Sequence, residues 1–401
     1  MTYLLHALSE RAGEFIRLRR DIHRHPELGF EEHRTAALVA DKLEGWGYAV
    51  ERGVGGTGVV GRLVRGQGRH LGLRADMDAL PIAEASGREW ASERPGLMHA
   101  CGHDGHTAML LAAARHLAEQ GRFQGTLNLI FQPAEEGGGG ALRMMDDGLF
   151  DRYPCDAIFA MHNMPGIAQG HMVMRDGAMM ASSDYATVTL SGVGGHGGMP
   201  HKAVDPLVAA ASIVMALQTI VARNVDPLQP AVVTVGAFNA GQANNVIPAS
   251  ARRELSVRAV DRETRTLLEQ RIRELVQHQA RSFGVEADIG WRPGYAVLVN
   301  TPAETQFARQ VALELLGPDR VTPQGAPLTG SEDFAFMLER VPGSYVLIGN
   351  DGHGESAQAH APCMVHNPGY DFHDGNIAVG SAYWVLLAQR FLAIEETTDR
   401  N

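Results

Sequence analysis

Cys101-Gly102-His103-Asp104-Gly105-His106 leads into a helix-forming stretch over 107–119. The apolar run Thr126-Leu127-Asn128-Leu129-Ile130-Phe131 follows, stops at Gln132-Pro133 and delivers Glu135-Glu136. This alternation of helix and strand continues on both sides. Upstream, β-like runs lie over 48–52, 58–64 and 71–75, the last entering Asp76-Met77-Asp78. Downstream, a short helix near 141–147 leads to a strand over 157–161 that ends in Met161-His162-Asn163. Such alternation implies an α/β fold, a mixed and largely parallel sheet flanked by helices. Ligands of these sheets sit at the carboxyl ends of the strands. Asp76, Glu135, Glu136 and His162 each follow directly on an apolar run.

Before this core, Leu4, Leu5, Leu8, Phe15, Leu18 and Ile22 recur at helical spacing among Arg11, Arg17, Arg19 and Arg20. That pattern predicts an amphipathic first helix, not a signal peptide, because no uncharged core precedes a small-residue cleavage site. A second helix is expected over 31–46, stopped by Gly45 and Gly47. The rhythm changes after 184: strand 184–190, helix 205–222, strands 231–235 and 254–260, helix 262–282 and strand 286–291. The order β-α-β-β-α-β is that of the ferredoxin-like split unit. Helix 303–316, strand 345–348 and helix 377–392 then resume the first pattern. With 401 residues, two domains are the natural division. We expect a discontinuous catalytic domain (1–183 and 296–401) with an inserted α+β lid domain at 184–295.

Composition narrows the partners. Lys and Arg total 35 against 46 Asp and Glu, a net charge of −11 without any basic run, so a nucleic-acid partner is not expected. No uncharged apolar run is read as long enough to span a bilayer, so no membrane partner is expected. Cys101, Cys155 and Cys363 cannot form a disulfide framework. A reducing compartment fits them, and a cytoplasmic protein is expected.

Several residue groups carry chemistry. Cys101 alone reads as a buried core thiol, but His103 two residues on lets one loop aim both side chains at one point. There is no Cys-x-x-Cys pair, so a catalytic site is favoured over a zinc-finger type. Adjacent glutamates are ordinarily a solvated pair. In extended backbone, however, neighbouring side chains point to opposite sides. One of Glu135 and Glu136 can then ligate a metal while the other faces the attacking water as general base. His162 reads equally as a core histidine or a ligand. His353, His360, His366 and His373 form a histidine-rich tail, and composition leaves open which of them closes the site. Gly53-Val54-Gly55-Gly56-Thr57-Gly58 matches a dinucleotide fingerprint but runs into a strand where that motif needs a helix, so it is read as a turn. Gly137 to Gly140 lacks the Lys-Ser/Thr of a phosphate loop.

Taken together, the motifs RRDIHRHPELGFEE (19–32), LRADMDALPI (73–82), MHACGHDGHTAML (98–110), FQPAEEGGGG (131–140) and MHNMPG (161–166) resemble one family. SGVGGHGGMPHKAVDP (191–206), NNVIP (244–248), GSEDFAFM (330–337) and VHNPGYDFHD (365–374) extend the match nearly end to end. The family is the amidohydrolase branch of the dinuclear metallopeptidases, with aminoacylase, hippurate hydrolase, carboxypeptidase G and plant indole-acetyl-amino-acid hydrolases. The resemblance implies a zinc-peptidase-like catalytic domain with a lid that dimerises, as a homodimer or homotetramer. It implies two divalent metal ions per subunit (Zn, Mn, Ni or Co), held by Cys101 as bridge with His103, Glu136, His162 and His366. Glu135 would be the general base, and His196 would donate to the substrate carbonyl oxygen. Asn245 and Arg258 would grip the substrate carboxylate, while Asp76 and Asp78 would stand behind the ligands. The position of Asp76 is a metal-binding histidine in the wider family, and His373 replaces the asparagine of a usual D-F-N-D. The implied reaction is hydrolysis of N-acyl amino acids. A dipeptidase, an N-acetyl-diaminopimelate deacetylase or a non-catalytic metal-binding relative are the alternatives.

Overall fold

Every residue of the strand Gly125–Gln132 is buried, as a central strand covered on both faces requires. The computed structural model describes residues 3–352 and 363–394. It divides into two units, residues 1–177, 299–326 and 336–401 forming the first. Its eight-stranded sheet runs in the order Ala49–Val54, Gly58–Arg65, Gly125–Gln132, His70–Asp76, Ala157–Ala168, Gly343–Asp351, Met172–Val173, Val321–Thr322. The four strands from Gly125–Gln132 to Gly343–Asp351 are mutually parallel. The first two strands add on antiparallel as a hairpin, and the glycine-rich 53–58 stretch is its turn. In the parallel core Asp76 stands opposite Gln132, each ending its strand, whereas His162 stands opposite Leu347 inside a strand that runs past the expected end at 161 to Ala168.

The helix His103–Gln120 starts at His103, not at 107 as expected. Gly102 sets its start with φ +91°, a left-handed conformation that costs glycine little. Thus His103, Asp104 and His106 lie in the first turn, beside the strand ends. The helix is buried along most of its length, and Met109 packs so closely on Gly380 of the helix Asn376–Phe391 that a Cβ there would lie 2.1 Å from the Met109 sulfur.

The second unit comprises residues 178–298 and 327–335. Its four antiparallel strands lie in the order Ala231–Ala240, Ser250–Ala259, Asp184–Ser191, Glu286–Pro293, with helices Pro206–Asn224 and Arg262–Ser282 packed on them. The stretch 327–335, assigned from sequence to the first domain, belongs here because Ala181 N–H donates to the Leu328 and Gly330 carbonyls at 3.0 and 2.9 Å. One expectation is corrected. Pro206–Asn224, with mean hydropathy 1.6, is long and apolar enough to cross a membrane. It buries Ala209, Ala210, Ile213, Leu217 and Ile220 in the core of this unit, while Val208 and Met215 remain 51% and 72% exposed.

The first helix, Tyr3–Arg24, pins the start of His103–Gln120 through charge. Arg19 Nε and His23 Nδ1 lie 2.7 and 2.8 Å from Asp104 Oδ2, and all three side chains are fully buried. Arg19 also donates to Asp371 at 2.7 Å, and His23 Nε2 meets Glu84 at 3.2 Å. Burial is the largest effect on His23 and discourages its charge. Asp104 and Glu84 outweigh it and push the pKa from 6.5 up to about 9. A raised folded-state pKa stabilises fully below the unfolded value and ceases to do so as pH rises through the folded one. His23 therefore contributes at most about 3 kcal/mol, present below pH 6.5 and lost by about pH 9. The melting temperature should fall more steeply over that window in the wild type than in His23→Gln. Parallel curves for the two proteins would show that His23 carries no charge.

Candidate metal centre

Asp76, Asp78, Cys101, His103, Glu135, Glu136, His162 and His366 all come together in the first unit. The arrangement rests on Asp78, whose Oδ1 accepts from His103 Nδ1 at 3.2 Å and whose Oδ2 accepts from the Glu136 backbone N–H at 2.9 Å. The proton of His103 is thereby fixed on Nδ1, leaving Nε2 as a lone pair, the carboxylate–histidine pairing found behind metal ligands. His162 is fixed in the same sense, since its Nδ1 donates to the Asn163 carbonyl at 2.6 Å. Its Nε2 faces the Cys101 sulfur at 3.3 Å.

The donor set fits divalent cations. His103 Nε2 and Glu136 Oε1 lie 4.0 Å apart, both buried, and neither makes a hydrogen bond, although His366 Nε2 stands 3.1 Å from Glu136. Cys101, Glu136 and His366 offer ligand atoms within 4.8 Å of one another, as do His103, Glu135 and Glu136. Burial is the largest effect on the Cys101 thiol and pushes it well above its ordinary value, with Glu136, Glu135 and Asp76 adding to the shift. Burial opposes charge on His103, yet Asp76, Asp78 and Glu136 push it up to about 10, so Nε2 takes a second proton unless a metal ion displaces it there. Buried negative potential of this strength is what a cation satisfies, and a coordinated thiol is deprotonated outright.

One local expectation is corrected. Glu135-Glu136 lie in a turn and not in extended backbone, so the two carboxylates reach the same group of ligand atoms. Pro133 ends the strand, and Ala134 then takes a left-handed φ of +50°, held by its N–H donating to Glu32 Oε1 at 2.8 Å.

Sequence reasoning missed His106, which lies within the Asp76, His103 and His162 group. Its Nε2 accepts from the Asn163 backbone N–H at 3.0 Å, so Nδ1 carries the proton and donates to Asp76 Oδ1 at 2.7 Å. Both nitrogens are engaged, and His106 is a brace and not a ligand. Asp76 is in turn held by Arg74 Nη1 at 2.7 Å. His373 is in none of the ligand groups among the described residues; its Nδ1 accepts from Gly375 N–H at 3.1 Å, ahead of the last helix. His353 and His360 lie outside the described residues.

The remaining predicted residues belong to the second unit. His196 pairs with Val246 in a two-stranded ribbon, which brings it beside Asn245. Its Nδ1 accepts from Gly198 N–H at 3.0 Å, so Nε2 bears the hydrogen and is a donor. Arg258 stands apart on the four-stranded sheet, donating to Ser331 at 2.8 Å.

Residues 72–390 match the model of the peptidase family M20/M25/M40. The chain is 45% identical to the hippurate hydrolase of Campylobacter jejuni, covering 95% of this chain and 97% of that protein. It is 38% identical to the N-acetyl-L-cysteine deacetylase of Bacillus subtilis, over 97% of this chain and 91% of that one. Among solved structures, a dinuclear metal-binding peptidase of the M20 family from Bacillus subtilis superposes with a TM-score of 0.80 at 32% identity, covering 95% of this chain and 98% of the other. The chain is a member of peptidase family M20/M25/M40.

Proposed function

We propose that this protein hydrolyses the amide bond of N-acyl amino acids with the help of two divalent metal ions. The observation that carries the reading is a buried cluster in which the imidazoles of His103 and His162 have fixed tautomers and present Nε2 lone pairs, close to Cys101 and Glu136, with a second carboxylate alongside. The names of the relatives, which specify hippurate and N-acetyl-L-cysteine, support the substrate class. Cys101, His103, Glu136, His162 and His366 would hold the ions. When bound, such ions polarise the scissile carbonyl and acidify the attacking water. Glu135 would take the proton from that water and return it to the leaving nitrogen. The Nε2–H of His196 would donate to the carbonyl oxygen as charge develops on it, and Asn245 and Arg258 would hold the carboxylate of the amino acid.

The test is to strip the protein with a chelator, restore Zn²⁺, Mn²⁺, Co²⁺ or Ni²⁺ singly, and measure amine release from N-benzoyl, N-acetyl and indole-acetyl amino acids and from dipeptides. Metal-dependent release from one acyl class is expected; release from dipeptides alone would make the protein a peptidase. Glu135→Gln should retain its metal by elemental analysis and lose about 10³-fold in kcat. Undiminished turnover would remove Glu135 from the mechanism.

Self-association of the second unit also belongs to this reading. Among the described residues the strand Ala231–Ala240 is an edge of its sheet, paired on one side alone. The helix packed on it, Pro206–Asn224, exposes Val208 and Met215; a strand edge is a template for pairing with another chain, and exposed apolar surface beside it favours such a contact. Light scattering should give a dimer or a tetramer for the wild type and a smaller species for Met215→Asp. An unchanged mass in the variant would place the contact elsewhere.

A further inference from the structure

Asn163 follows the candidate ligand His162, is completely buried, and has every polar atom engaged around the metal centre. Its backbone carbonyl accepts from His162 Nδ1 at 2.6 Å, and its backbone N–H donates to His106 Nε2 at 3.0 Å. Its Nδ2 donates to the Cys101 carbonyl at 2.6 Å and lies 3.0 Å from His106 Nε2. Its Oδ1 accepts from the Tyr370 hydroxyl at 2.6 Å. Tyr370, also completely buried, belongs to the same tail segment as His366, whose N–H donates to the Ala100 carbonyl at 2.8 Å. Gly102 leaves room for the bridge, because a Cβ there would lie 2.3 Å from Asn163 Nδ2 and 2.4 Å from the Tyr370 hydroxyl.

We propose that Asn163 and Tyr370 are a positioning pair that sets the Cys101 sulfur against His162 and ties that spacing to the seating of His366. The carboxamide reaches the Cys101 loop and the His162 strand at once, and the phenol holds the carboxamide from the third segment. Moving the tail therefore moves the amide, and the amide moves the thiolate loop. The consequence is that ligands of both candidate metal positions respond to a hydroxyl that touches no metal. The inference rests on the metal centre proposed above.

The test uses the full chain in reducing buffer and Co²⁺ as probe, without any activity assay. Co²⁺ is titrated into chelator-stripped wild type, Tyr370→Phe and Tyr383→Phe. The last is a matched control, since its hydroxyl is equally buried and bonds the Ala308 carbonyl at 3.3 Å, outside the site. Thiolate-to-cobalt charge-transfer absorption and competition with a chelator are read. We expect Tyr370→Phe to shift the charge-transfer band and to weaken binding of one Co²⁺ at least tenfold, with Tyr383→Phe like the wild type. If Tyr370→Phe behaves like Tyr383→Phe, the positioning role is overturned while the metal centre stands. If the wild type itself develops no thiolate band, the metal centre falls and this inference with it. Asn163→Asp, which replaces the donor toward the Cys101 carbonyl with an acceptor, should reproduce the Tyr370→Phe shift; an unshifted band there would also overturn the proposal.

Discussion

Three segments meet at the carboxylate of Asp78. It follows the strand His70–Asp76, holds His103 at the head of a buried helix through one oxygen, and holds the backbone of Glu136 through the other. A carboxylate accepts in two directions at fixed geometry, so the lone pair of one ligand and the seat of another are set together. Remove those two bonds and neither His103 Nε2 nor Glu136 Oε1 has a defined direction. The left-handed residues Gly102 and Ala134 make sense in this light. They turn the chain sharply enough for the helix and the glutamate turn to reach the same point.

Behind this centre stands a second charged layer, which reaches the ligand atoms through Asp76, 3.8 Å from His103 Nε2. Arg19 and His23 reach Asp104, Arg74 reaches Asp76, and Asp371 and Glu84 close the outer side. Buried charges are tolerated only where paired, and here the pairs join the first helix, a sheet strand and the tail. The stretch RRDIHRHPE near the start of the sequence is thereby explained as scaffolding for the first turn after Gly102.

Much of this was legible in the sequence. Burial at every position of Gly125–Gln132 and the alternation along Asp184–Ser191 gave the parallel core and the antiparallel unit their distinct patterns. Cys101, His103 and the Glu135-Glu136 pair stood out because their spacing allows convergence. What stayed hidden was set by backbone geometry and tertiary pairing. Nothing in Pro-Ala-Glu-Glu announces that Ala134 adopts positive φ, which depends on Glu32 accepting its N–H. The part played by His106 was missed for the same reason, since it is set by the Asn163 N–H pointing at its Nε2. The apolar face of Pro206–Asn224 was overlooked because apolar residues in a core helix and on its outer side read alike.

The register of the central sheet bears on how the chain folds. Ala157–Ala168 finds its parallel neighbour in Gly343–Asp351, a strand separated from it by the whole second unit. Loop closure of that length is slow, whereas the contacts within the β-α-β-β-α-β unit are more local. During synthesis the second unit can therefore form while the strand that carries His162 still presents a bare, apolar edge. That interval is when the nascent chain is most open to pairing with another strand. It closes only when the last strand and the terminal helix emerge, so these late residues complete both the sheet and its protection.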